Sequence, residues 1–381
     1  MSYPLTLIRP EKRMHERVEQ LLSYADVKIN GHRPWDININ SNDFYSRVLR
    51  SGSLGLGETY MEGIWDSRQL DEFICRIVKA DLPNKVHTFA DFLFYLQAVF
   101  LNLQSPSRSY EVGKRHYDID NNLYQCMLDK RMIYSCGFWK YAASLDEAQE
   151  AKLDMVCRKL ELAPGMRVLD IGCGWGGMAK FAAENYGVEV VGITISKEQA
   201  ILAKESCTGL PIDIRLQDYR SLDETFDRIL SLGMFEHVGY KNYNTYMTKV
   251  RSLLKKNGLF LLHTIGNNHS QKTIDSWIHK YIFPNSMLPS ASQITRAYED
   301  FFVLEDWHNF GADYDKTLMH WFNNFKDSWH ELKKNYDDRF YRMWKYYLLS
   351  CAGSFRAREI QLWQIVLSPN GVPGGYKAHY K

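Results

Sequence analysis

The run Val168-Leu169-Asp170-Ile171-Gly172-Cys173-Gly174-Trp175-Gly176-Gly177 constrains this chain more than any other stretch. Its apolar start suits a buried strand, and its glycines suit a tight turn that opens a helix. Glycine at 172, 174 and 176 leaves no side chain between the turn and a ligand at the helix N-terminus, where free N–H groups attract an anionic group. Tight turns also use glycine for structural reasons alone, so the surroundings of this one matter.

Those surroundings alternate strands with helices. Ser144-x-x-Glu147 reads as a capping box opening a helix through Leu160. Strands are expected at Arg167–Ile171, Glu189–Ile193, Ile212–Leu216, Asp227–Leu232 and Leu259–Thr264, with two more at Phe302–His308 and Ile360–Leu367. The alternation predicts a doubly wound, mostly parallel sheet that binds its ligand at the carboxyl ends of the strands. Ahead of it, residues 1–104 mix amphipathic helical spacing over Glu11–Ala25 and Phe89–Leu103 with a glycine-rich loop, Ser51–Gly57. Ser105-Pro-Ser-Arg108 reads as a linker, 267–300 as an insertion, and Ser368–Lys381 as a loose tail. Long aromatic helices are expected at about Lys316–Leu332 and Asp338–Phe355.

At 381 residues and 45% apolar content the chain can hold one large and one small domain. Lys+Arg 47 against Asp+Glu 45 gives no nucleic-acid footprint. The sequence shows no signal peptide, no bilayer-spanning run and no metal-ligand spacing. Seven scattered cysteines fit a reduced cytoplasm better than a disulfide framework.

In this context Asp170 and the glycines point to S-adenosylmethionine, whose methionine carboxylate suits the turn's amides, rather than to a dinucleotide. The second strand ends without the usual ribose-binding acid, leaving Thr194 and Gln199 as neutral donors and acceptors. Ser196-x-x-Gln199 is also a capping box, which explains Ser196 and Gln199 without a ligand. Gln217 and Asp218 stand where an adenine amino group could be met, although an Asp there is commonly a turn residue.

Several motifs in order carry a family resemblance: the glycine run, Tyr134-Ser-Cys-Gly-Phe-Trp139, Gly233-Met-Phe-Glu-His-Val-Gly239 and Leu262-His-Thr-Ile-Gly266. Asp306-Trp-His-Asn-Phe-Gly-Ala-Asp-Tyr314, Cys351-Ala-Gly-Ser-Phe-Arg356 and Gly52-Ser-Leu-Gly-Leu-Gly-Glu58 extend it over nearly the whole chain. The sequence resembles the cyclopropane-fatty-acyl-phospholipid synthases; the related mycolic acid enzymes resemble its later zones but lack the leading one. The resemblance implies an α/β fold, with a seven-stranded class I methyltransferase-like (Rossmann-like) sheet in 105–381 and a smaller, mainly helical domain in 1–104. It implies methylene transfer from S-adenosylmethionine to the cis double bond of an unsaturated phospholipid acyl chain.

By the same resemblance, cofactor contacts fall at Tyr134, Ser135, Gly172, Cys173, Gly174, Gly176, Thr194, Ile195, Ser196, Lys197, Glu198, Gln199, Gln217, Asp218 and Gly233. A bicarbonate ion is implied at Cys136, Glu236, His263, Ile265 and Tyr314, and Cys351 matches a cysteine treated as an active-site candidate. Free cysteines are commonly inert filler, and the chemistry needs no covalent thiol.

That chemistry explains the residue types. An alkene is a weak nucleophile, so the sulfonium methyl must be aimed at it. The resulting cation needs electron-rich walls, which a 14% aromatic content can supply at about 0.5–2 kcal/mol per cation–π contact. Ring closure then needs a base inside an apolar pocket, which an oxyanion oriented by Glu236 and His263 can provide; a Glu or His at a strand end can equally be structural. With no span, such an enzyme would be cytoplasmic and peripheral to the inner membrane surface. The leading domain and the 267–300 insertion are its expected lipid contacts, with Lys79, Lys85, Lys114 and Arg115 as candidate cations. A homodimer remains open. Two other readings stay alive: a lipid C-methyltransferase giving methyl-branched or hydroxylated chains, and a non-catalytic lipid-binding relic.

Overall fold

The structure is a computed structural model that describes residues 10–82 and 121–378. The expected helix 89–103, the linker at 105–108, the domain boundary at 104 and the cations Lys85, Lys114 and Arg115 lie outside those residues.

Leading residues form α1 (Pro10–Tyr24), β1 (Ile37–Ile39), α2 (Asp43–Met61), β2 (Trp65–Ser67) and α3 (Leu70–Lys79), with β1 and β2 antiparallel. The expected glycine-rich loop at 51–57 is instead helical. It lies within α2, which bends at Gly52 (φ 52°, ψ −128°) and then continues. Glycine costs helix stability through backbone freedom, but packing reverses that penalty here. A Cβ on Gly55 would lie 2.3 Å from the Arg47 carbonyl oxygen, and one on Gly57 2.3 Å from the Trp277 ring. The glycines let two neighbours touch the helix backbone.

The remaining helices are α4 (Asn121–Met127), α5 (Leu145–Lys159), α6 (Gly177–Tyr186), α7 (Lys197–Ser206), α8 (Tyr243–Leu253), α9 (Ser276–Tyr281), α10 (Ala291–Tyr298), α11 (Ala312–Asp327), α12 (Trp329–Leu332) and α13 (Asp338–Arg356). Ser144 caps α5 by accepting from Glu147 N–H (3.3 Å), but the Glu147 carboxylate accepts from Ala143 N–H (2.8 Å) rather than closing the expected box on Ser144.

The main strands are β3 (Arg167–Ile171), β4 (Glu189–Thr194), β5 (Ile212–Leu216), β6 (Phe226–Leu232), β7 (Leu254–Asn267), β8 (Val303–Asn309) and β9 (Ile360–Ser368). Their order is β5-β4-β3-β6-β7-β9-β8, parallel except for β9, which is antiparallel to both neighbours. This is the seven-stranded class I methyltransferase sheet. β7 outruns the expected 259–264, continuing through Ile265 and Gly266 because β9 pairs with it as far as Asn267↔Ile360. From β3 the chain winds through β4 to β5 at one edge, then returns to β6 on the other side of β3, opening a crevice at the strand ends.

α13 joins the leading residues to this body. Arg342 donates to the Trp65 carbonyl (3.0 Å), pairs with Asp66 (2.9 Å) and covers the Tyr60 ring at 4.2 Å. Arg356 bridges Asp71 (2.6 Å) and Asp315 (2.9 Å). Fully buried Trp277, from the insertion, packs against Tyr346 with ring centroids 4.6 Å apart. The tail expected to be loose is tied down as far as Tyr376, whose hydroxyl donates to the Lys159 carbonyl (2.9 Å).

Gly57→Ala should lower stability by about 1–3 kcal/mol, because Trp277 has nowhere to move. Thermal unfolding followed by circular dichroism measures it; an unchanged Tm would mean that α2 and Trp277 are not in contact.

Candidate active site

The turn after β3 is glycine for three different reasons. Gly172 (φ 85°) and Gly174 (φ 54°) take left-handed conformations, and a Cβ on Gly174 would meet nothing within 4 Å, since that side is cavity. Gly176 is left-handed as well (φ 84°), and a Cβ there would lie 3.0 Å from Cys207 Sγ and 3.3 Å from Ala203 Cβ, so this glycine serves helix packing besides the turn. The Gly172 and Cys173 amides were expected to be open to a ligand. Both donate to the Ile193 carbonyl (2.9 Å each), which locks the turn against β4.

Beyond the turn lies a cavity of about 190 Å³. Its walls carry Tyr134, Ser135, Gly172, Cys173 and Gly174, then Thr194, Ile195, Gln199, Gln217, Asp218 and Gly233. Gly176, Ser196, Lys197 and Glu198 stand off the wall. Ser196 caps α7 by accepting from Gln199 N–H (3.3 Å), and Lys197 and Glu198 point to solvent from its first turn. The Gln199 side chain does not close the expected capping box; its Oε1 accepts from the Thr194 hydroxyl (2.9 Å). Burial works against the charge of Asp218, yet Arg220 (2.6 Å) holds it below the ordinary carboxylate range.

Asp170 was part of the motif but had no assigned contact. It is buried on this cavity's wall, its Oδ2 has no protein partner, and burial pushes it up to about 7 against the pull of Lys152. Lys152, also unanticipated, is fully buried and donates from Nζ to Ser135 Oγ (2.9 Å). Its signal was present in the sequence: Lys152 and Lys159 fall in the apolar stripe of α5 with Leu145, Ala148, Met155 and Val156.

A second cavity of about 580 Å³ meets the first at Tyr134, Ser135, Gly233 and His237, which line both. Leading helices supply much of its apolar wall through Val18, Leu21, Phe44, Leu56, Phe73 and Ile77. The same wall carries Glu236, His263, Ile265, Tyr314 and Cys351. Cys136 is apart from them: it is buried off the wall, with Sγ 3.1 Å from the Gly137 carbonyl.

Glu236 Oε1 accepts from Ile265 N–H (2.7 Å), while its Oε2 has no protein partner. Burial pushes this carboxyl up to about 7. His263 meets Gln364 through Nδ1 (3.3 Å), and its Nε2 has no protein partner. Burial, with Lys152 and Lys159 nearby, holds the ring neutral. Tyr314 stacks on Phe355 at 4.5 Å. Burial pushes Cys351 up to about 12, which keeps it a neutral thiol on the wall.

The family model for mycolic acid cyclopropane synthetases matches residues 104–365. The chain is 54% identical to the cyclopropane-fatty-acyl-phospholipid synthase of Escherichia coli (strain K12), over 97% of this chain and 96% of that protein. The chain belongs to the mycolic acid cyclopropane synthetase family. Solved relatives agree. The cyclopropane synthase MmaA2 from Mycobacterium tuberculosis matches with a TM-score of 0.64 at 31% identity, over 68% of this chain and 97% of its own. The mycolic acid cyclopropane synthase CmaA1 complexed with SAH and CTAB matches with a TM-score of 0.64 at 30% identity, over 68% and 97%. This family member is an S-adenosylmethionine-dependent transferase.

Glu236 gives a pH signature. Its carboxyl is raised from 4.5 to about 7 in the folded protein, so the native state holds a proton that the unfolded chain releases. Stability is therefore lost as pH rises from about 4.5 to 7. Glu236→Gln keeps the acceptor for Ile265 and escapes that loss. It should exceed the wild type by on the order of 3 kcal/mol at pH 8, with the gap closing by pH 5. Equal denaturant midpoints at both pH values would show that Glu236 is not buried as described.

Proposed function

We propose that this chain forms cyclopropane rings on unsaturated phospholipid acyl chains, taking a methylene from S-adenosylmethionine and releasing S-adenosylhomocysteine. One observation carries the reading. A pocket at the strand ends adjoins, across the shared wall residues Tyr134, Ser135, Gly233 and His237, a large apolar cavity whose wall holds unpartnered Glu236 Oε2 and His263 Nε2.

S-adenosylmethionine supplies the electrophilic methyl when bound. Gly174, Thr194, Gln199, Gln217 and Asp218 surround the smaller pocket and would hold it, with Asp170 facing its interior. The apolar cavity binds the acyl chain and excludes water from the reacting carbons. Tyr134 and Tyr347 share a hydroxyl–hydroxyl bond of 2.8 Å at the junction, fixing two electron-rich rings where positive charge develops.

The residues present fit a small oxyanion. A protonated Glu236 and an Nε2-protonated His263 offer two buried donors with no other partner, and Tyr314 shares their wall. Bicarbonate supplies the base there when bound. Ile265 N–H fixes Glu236 so that Oε2 faces it. Cys136 would take part through its neighbourhood only, its side chain lying off the wall.

The double bond of such a substrate lies deep in a bilayer, and among the described residues no helix is long and apolar enough to cross one. The protein would work from the cytoplasmic side, at the inner membrane surface. Its leading helices already line the acyl cavity, and exposed Lys79 follows the lining residue Val78. A protein that stops at a methyl-branched or hydroxylated chain would quench the cation differently. The donor pair at Glu236 and His263 favours proton loss.

Incubation with unsaturated phospholipid vesicles, S-adenosylmethionine and bicarbonate should give fatty acids heavier by one CH2, with the olefin consumed and no oxygen gained. Glu236→Leu should lower product formation by about 100-fold while S-adenosylmethionine affinity is kept. A retained olefin, or a hydroxylated product, would replace this reading with the branched-chain one.

A further inference from the structure

His263 and Gln364 are direct register partners across β7 and β9, and both are buried from solvent. Gln364 Nε2 lies 3.3 Å from His263 Nδ1. An amide nitrogen has hydrogens to give and no lone pair to accept with, so Nδ1 is the acceptor. The one proton of a neutral imidazole then sits on Nε2. Reversing the amide would leave its NH2 group, with two donors, buried without a partner. As placed, Gln364 gives one of its two N–H hydrogens to the ring and leaves its carbonyl oxygen unpartnered, so one donor rather than two goes unused. Phe310 meets the imidazole edge to face, with centroids 5.8 Å apart, and steadies the ring plane.

We propose that Gln364 is a positioning residue that fixes His263 in the Nε2–H form and turns that N–H into the acyl cavity. A ring held this way is a hydrogen-bond donor and cannot take a proton from the substrate. Whatever seats against it must accept a hydrogen bond, as an oxyanion does, and removal of the substrate proton falls to that acceptor and not to the ring. Only the oxyanion's identity as bicarbonate rests on the proposed function; the tautomer does not.

The test is nitrogen NMR of the full-length protein labelled with 15N-histidine, with the His263 signals identified by their loss in His263→Asn. Expected are a bare Nδ1 and a protonated Nε2 between about pH 6 and 8, with Nε2 moving on addition of bicarbonate. Gln364→Glu replaces the donor with an acceptor, so the proton should shift to Nδ1 or the ring should become charged. Product formation should then fall roughly tenfold or more in kcat with the KM for S-adenosylmethionine little changed. A wild-type ring protonated on Nδ1 would overturn the proposal, and so would Gln364→Glu with wild-type nitrogen signals and wild-type kcat. If the wild type shows protonated Nε2 yet makes no cyclopropane product, the tautomer assignment stands and the proposed function fails.

Discussion

Two polar atoms, Glu236 Oε2 and His263 Nε2, are held without protein partners on the wall of an apolar cavity, and the site depends on them. A buried polar group left unpaired costs about 1–3 kcal/mol, and these two open atoms share the wall of one cavity, where a single bound group can satisfy both. The surroundings hold them there. Ile265 N–H occupies the other oxygen of Glu236, and Gln364 occupies the other nitrogen of His263. Both arrangements need β7 to run beyond its apolar centre, so that His263 and Ile265 reach the cavity while still paired to β9. The length of one strand thus sets the geometry of the pair.

The cavity exists because the leading helices close it. Their apolar residues would otherwise be a surface, and the cavity would be an open groove. Closure relies on tight contact at Gly57 against Trp277, and on two guanidiniums, Arg342 and Arg356, that each hold several groups across the seam. Bidentate guanidinium contacts orient as well as attract. Seam geometry and cavity shape are therefore one problem: a shift of α2 moves Leu56 in the wall and Gly57 against Trp277 together.

The sheet was legible because its strands are apolar runs ended by glycine, proline or polar residues. Arg167–Ile171 and Ile212–Leu216 begin and end where the sequence placed them. The misreading at 51–57 has a physical reason. Glycine signals a turn when only local propensity is weighed, and here the deciding partners are Trp277, more than two hundred residues away, and the Arg47 carbonyl across the bend. Gly176 has the left-handed turn conformation the sequence signals, and distant packing against Ala203 in α7 and Cys207 just after it adds to that. Gln364 was invisible for a different reason. A glutamine in a strand has no pattern of its own, and its meaning comes from the residue paired opposite it.

Charge at the junction of the two cavities follows from the same burial. Asp170 is pushed up to about 7 and Lys152 down to about 8, each limiting the other's departure from its charged form. Because Lys152 donates to Ser135 Oγ, the serine's own hydrogen must point elsewhere, and Ser135 lines both cavities. The buried ammonium therefore acts at a distance through an oriented hydroxyl while keeping its charge away from the apolar wall. A bare cation on that wall would oppose the positive charge that alkene alkylation creates; a neutral hydroxyl backed by the ammonium does not bring that charge to the reacting carbons.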